Sequence, residues 1–127
     1  MNKAIMTKNA PGAIGPYSQA VLADGTLYIS GQLPVDPATR EFVPGGIGEL
    51  TKASLNNIRA ILEEAGMSMA DVVKTTVFLK DMNDFAEMNA AYAFFFSEPY
   101  PARAAVQVAK LPRDARVEIE AIAVRRP

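Results

Sequence analysis

Neither cysteine nor histidine occurs among the 127 residues. Without thiols there is no disulfide, no thiolate nucleophile and no cysteine-ligated metal. Without imidazole the chain lacks the usual neutral-pH general base and the commonest metal ligand. An excess of charge is missing too: the formal net charge is −1, so no electrostatic partner such as nucleic acid or an anionic membrane is expected. No apolar run approaches the length that spans a bilayer. The opening stretch, "MNKAIMTKNAPG", has no apolar h-region and no cleavage-site pattern, so the expected compartment is the cytoplasm or a matrix equivalent. Any catalysis therefore falls to carboxylates, tyrosine, lysine, arginine, backbone amides and water, and no metal or cofactor is expected.

What is present is apolar surface in quantity. Half of the residues are hydrophobic, enough for one core in a chain of this length. In "SQAVLADGTLYISG", Asp24-Gly25 supplies the positive φ angles of a tight hairpin turn, with apolar strand residues on either side. A short strand at Lys3–Thr7 precedes it. Residues 34–48 carry three prolines and three glycines and read as a loop. Leu55, Ile58, Leu62 and Ala65 fall at helical spacing, with Gly66 as the natural stop and a start a few residues before Thr51. "DVVKTTVFLK" is β-branched and strand-like. A second helix is expected over "NDFAEMNAAYAFFF", capped by Asn83 or Asp84, with Glu87 completing a capping box from Asp84. Its apolar stripe is Phe85, Met88, Tyr92 and Phe95, and Pro99 and Pro101 stop it. Two further strands close the chain. The order, without repeat or linker, predicts one α+β domain over residues 1–127: a single mixed sheet with two helices on one face.

The last two strands contain charges. Arg103 alternates with Ala105 and Gln107 on one face, and Glu118 and Glu120 share a face with Ile122. If "LPRDAR" is a hairpin turn, Arg103, Ala105, Glu118 and Glu120 meet on one face, opposite a helix-covered face carrying Val106, Val108, Val117 and Ile119. The charged face should also hold Val73, Val77, Leu79 and Ile122. That is too apolar for water, and oligomerisation is expected to cover it. Two explanations of the charges stand side by side. One is a salt bridge from Arg103 to a glutamate that fixes register. The other is an arginine fork for a substrate carboxylate beside a shielded glutamate whose raised pKa suits proton transfer. Weaker candidates are Gly31, as a backbone donor or a simple turn glycine, Ser30 beside it, Tyr17 after Gly15-Pro16, and Asn89 beside the second helix's stripe. "PGGIGEL" lacks the lysine of a phosphate loop and reads as the loop before a helix.

"PARAAVQVAKLP" followed by "VEIEAIAV" resembles the C-terminal signature of the Rid (reactive intermediate deaminase, or YjgF) family. "NAPGAIGPYSQAV", "YISGQLPVDPATRE", "LNNIRAILEEAG" and "VVKTTVFLKDMNDFAEMN" extend the likeness over essentially the whole chain, and Arg103 marks the imine-deaminase branch. The resemblance implies a chorismate-mutase-like fold, a homotrimer whose sheets line an inner barrel, and clefts at the subunit interfaces. It implies hydrolysis of 2-iminobutanoate and 2-iminopropanoate to 2-keto acids and ammonia. By position, Arg103 would hold the substrate carboxylate with help from the Gly31 N–H, and Glu118 would activate water. Tyr17, Ser30 and Asn89 would line the cleft, with Glu120 as structural partner. Many relatives carry a cysteine two residues after the arginine; here it is Ala105. A non-catalytic small-carboxylate binder, a chaperone-like trimer, or a deaminase for another imine or enamine are the alternatives.

Overall fold

The structure is a computed structural model describing residues 1–127. In chain order the elements are β1 (Lys3–Ile5), β2 (Ala20–Ala23), β3 (Thr26–Gln32), α1 (Ile47–Glu64), β4 (Val72–Leu79), α2 (Phe85–Tyr92), β5 (Ala102–Gln107) and β6 (Val117–Val124). The six strands form one sheet in the order β1-β2-β3-β6-β4-β5. Both helices pack on one face, as the element order predicted. No helix is long and apolar enough to cross a membrane.

Local chemistry explains the elements. Asp24 (φ 47°) and Gly25 (φ 83°) both take left-handed backbone, which turns β2 directly into β3 with Ala23 opposite Thr26. Helix α1 buries Leu55, Ile58, Ile61 and Leu62 completely, and the chain leaves it through Gly66 at φ +73°. Fully burying one such aliphatic side chain is worth roughly 1.5–3 kcal/mol, so this stripe rather than helix propensity holds α1 on the sheet.

The second helix is shorter than its apolar run suggests. Only Phe85–Tyr92 is α-helical, with single 3₁₀ turns at Met82–Asp84 and Ala93–Phe95. The expected capping box from Asp84 does not form. Asp81 caps the entry instead, accepting from the Asn83 N–H at 2.9 Å, while the Asp84 carboxylate accepts from Arg116 at 3.1 and 3.2 Å. A guanidinium outcompetes a backbone amide for that carboxylate.

The closing strands correct the hairpin expectation. β5 does not pair with β6. It runs parallel to β4 as the sheet's edge, with Thr75 opposite Arg103. β6 lies antiparallel on the other side of β4, between it and β3. The connection through α2 brings β5 back parallel, as a crossover must. Faces follow from register. Arg103 and Ala105 share a face with Thr75, Val77, Leu79, Val117 and Ile119, which is the helix-covered face. Val77 and Leu79 are 0 % exposed there rather than on the open side. Val106 faces the open side and is 42 % exposed. A bulge between Val72 and Lys74 turns Val72 into the core and Val73 outward. Glu118, Glu120 and Ile122 lie on the open face, as expected.

Candidate functional site

Arg103 and Glu118 therefore stand on opposite faces of one sheet, and the proposed register-fixing salt bridge is absent: none of the chain's ion pairs involves Arg103. Its guanidinium instead reaches over α2. One of its terminal nitrogens donates to Asn89 Oδ1 at 2.7 Å. Its Cζ lies 4.8 Å from the centre of the Tyr92 ring and 5.4 Å from that of Phe85. The side chain is exposed, and its remaining N–H groups suit a carboxylate fork. Ala105, two residues on, packs half-buried against the core.

On the open face the half-buried Glu118 carboxylate sits against Gly31. A β-carbon built on Gly31 would lie 2.5 Å from Glu118 Oε2, so glycine at this position leaves the room that the carboxylate occupies. β3 is irregular here: its pairing with β6 shifts between Ile29 and Gln32, which aims Ser30 and Gly31 away from the regular ladder. Burial holds the Glu118 carboxyl above the ordinary glutamate value, and the negative charge of Glu120 adds to that rise. Such a group holds and returns protons closer to neutrality than a free glutamate does.

Tyr17 stands on an exposed segment whose two ends are pinned. The buried Gln19 amide accepts from the Thr7 N–H at 2.7 Å and donates to the carbonyls of Thr7, Ala10 and Pro11 at 3.1, 3.3 and 2.8 Å. Ser30 Oγ donates to the Ser18 carbonyl at 2.6 Å, and the Ser30 N–H to the Gln19 carbonyl at 2.9 Å. The Ser30 hydroxyl thus ties the Tyr17 segment to β3 beside Gly31. Tyr17 itself is 54 % exposed.

Two groupings result: Gly31, Ser30, Glu118 and the Tyr17 segment on the β3/β6 side, and Arg103 with Asn89 at the β5 edge. The sequence reading missed the parts that Phe85, Tyr92 and Gln19 play. Phe85, Asn89 and Tyr92 do carry a signal, lying at i, i+4 and i+7 of one helix. Gln19 carries none, since a glutamine reads as surface until its burial is known. A polar hollow of about 570 Å³, lined by Lys80, Asp81, Asn83, Asp84, Gln107 and Arg116, includes none of these groups. No three acidic side chains converge as a metal site would need.

Comparison with known proteins matches residues 7–125 to the family profile described as Endoribonuclease L-PSP. A RutC family protein of Pyrococcus horikoshii is 57 % identical over 125 residues, covering 98 % of this chain and 99 % of its own. The 2-iminobutanoate/2-iminopropanoate deaminase of Bos taurus is 57 % identical over 127 residues, covering 100 % of this chain and 93 % of its own. The crystal structure of Escherichia coli TdcF with bound serine superposes with a TM-score of 0.92 at 50 % identity, covering 98 % of this chain and 99 % of that one.

Proposed function

Because the chain belongs to the Endoribonuclease L-PSP family, also called YjgF or Rid, we propose that it is a 2-iminobutanoate/2-iminopropanoate deaminase, a cofactor-independent hydrolase of C=N bonds. The observation that carries this reading is Arg103: an exposed guanidinium with no acidic partner, held by Asn89 and two aromatic rings with donors to spare. A small 2-imino acid supplies the missing carboxylate. A relative's structure with bound serine, a small amino acid of comparable size, is consistent with this.

The reaction asks for positioning and one proton shuttle. Arg103 binds the substrate carboxylate. Glu118 takes a proton from water as its oxygen attacks the imine carbon and passes that proton to the imine nitrogen, giving a neutral carbinolamine. Glu118 then takes the hydroxyl proton as the keto group forms and delivers it to the nitrogen as the C–N bond breaks, so that ammonia leaves and Glu118 is ionised again. Tyr17 and the Gly31 N–H line the substrate on the glutamate side.

Since Arg103 and Glu118 point away from each other within one sheet, the site forms between subunits of a homotrimer, one protomer presenting Arg103 and its neighbour Glu118. The test is complementation. Arg103→Ala and Glu118→Gln are each expected to abolish release of 2-keto acid from 2-iminopropanoate generated in situ. Dissociating the two variants and reassembling them together restores activity, because mixed trimers contain intact clefts. Full activity in Arg103→Ala overturns the site. Two dead variants that never complement place both groups in one subunit's site and overturn the split.

A further inference from the structure

Three residues of α2, Phe85, Asn89 and Tyr92, converge on one side chain of a different element, Arg103. Phe85 and Tyr92 read in the sequence as core stripe, and both do pack against the core. Their second contact is what the core does not require. Tyr92 is also fastened from below: its hydroxyl and Thr75 Oγ1 are 2.7 Å apart, buried. Thr75 is the residue of β4 that faces Arg103 across the β4–β5 pairing. A ring tied to Thr75 must therefore lie over the strand position from which Arg103 rises. Asn89, between the two rings on the helix face, takes one N–H. A flexible arginine is thus restrained by two ring faces and one hydrogen bond, with its other donors left open.

We infer that Phe85 and Tyr92 are positioning residues for the Arg103 guanidinium, holding its plane and displacing its water so that the fork is prepared for a substrate carboxylate. This rests on the reading of Arg103 as the carboxylate holder. Pre-ordering a long side chain removes the cost of ordering it on binding, and partial desolvation strengthens its charge-assisted hydrogen bonds. Binding rather than chemistry should feel the loss, because the rings contact the guanidinium that holds the carboxylate.

The experiment measures binding of 2-oxobutanoate by titration calorimetry and steady-state kinetics with 2-iminobutanoate made in situ, on the whole chain. Phe85→Leu keeps apolar bulk but removes the ring. It is expected to weaken binding and raise KM by about three- to tenfold, with kcat changed less than about twofold. Tyr92→Leu moves the same quantities in the same direction. Phe85→Tyr restores a ring face and recovers most of the affinity. Phe95→Leu is the matched control: its ring lies 4.9 Å from the Cζ of a different arginine, Arg59, and binding should not move. If Phe85→Leu does not stay folded, Phe85→Met makes the same comparison. Equal binding by the Phe85→Leu and Phe95→Leu proteins, with Arg103→Ala binding-dead, overturns the inference and leaves the site standing. An Arg103→Ala protein that binds 2-oxobutanoate normally takes down the site reading and the inference with it.

Discussion

At the scale of single residues, Gly31 is the glycine against which a side chain packs most tightly, and that side chain is Glu118. A methyl group on Gly31 would meet the Glu118 carboxylate at 2.5 Å, and the φ of Gly31 is not in the left-handed region, so the backbone itself tolerates alanine. Gly31→Ala should therefore fold, with the carboxylate pushed aside and turnover reduced about 10²-fold, as a displaced proton-transfer group implies. A Gly31→Ala protein with unchanged kcat would show that the carboxylate has no fixed place in the reaction. The pH dependence has a definite sign. Burial and then Glu120 hold the folded Glu118 pKa above its ordinary value of 4.5. The ionised form is the base, so kcat/KM should rise with pH through that raised value, and Glu120→Gln should move this acid limb to lower pH. Stability runs the other way. A carboxyl whose folded pKa is raised contributes stability that is fully present below the unfolded pKa and is lost as pH rises through the folded one. Glu118→Gln, which cannot ionise, should accordingly melt at a higher temperature than the parent at pH 7 while losing activity. A lower melting temperature would assign Glu118 a structural partner instead.

At the scale of elements, the strand faces were legible and the strand neighbours were not. Alternation alone places Glu118, Glu120 and Ile122 together, because it is a property of one strand. Whether Arg103 joins them depends on which strand lies beside β5, and an apolar–turn–apolar pattern looks the same for a hairpin as for two strands separated by a third. The β4–α2–β5 crossover decided it, putting Val106 outside and Arg103 under α2. The role of Gln19 was similarly hidden, since its four hydrogen bonds join residues brought together only by the fold. That network makes a prediction for the segment it ties down. Gln19→Leu leaves the Thr7 N–H and several carbonyls unpaired, at a cost of about 1–3 kcal/mol for a buried unsatisfied group. The segment from Thr7 to Ser18 should then be cut faster by a protease than the rest of the chain. A uniform change in digestion would mean that Gln19 supports the whole fold rather than the strap.

At the scale of the whole molecule, one sheet face is covered by helices and the other is bare. On the bare side Tyr28, Val106 and Val124 are 51 %, 42 % and 43 % exposed, with Ile122 and Phe78 beside them. An apolar field of this kind on a stable protein calls for a partner, and a trimer is expected by sedimentation equilibrium at micromolar concentration. Ile122→Asp, which would bury an unpaired charge in that interface, should yield monomers without activity. A trimer that tolerates the aspartate would mean that the subunits meet elsewhere. β6 follows every other strand in the chain, yet it sits between β3 and β4 and is the only strand that joins them. Apart from β6, the sheet consists of a β1–β2–β3 meander and a β4–α2–β5 crossover whose strands do not pair with each other. The sheet is therefore continuous only once the strand bearing Glu118 lies between the two halves.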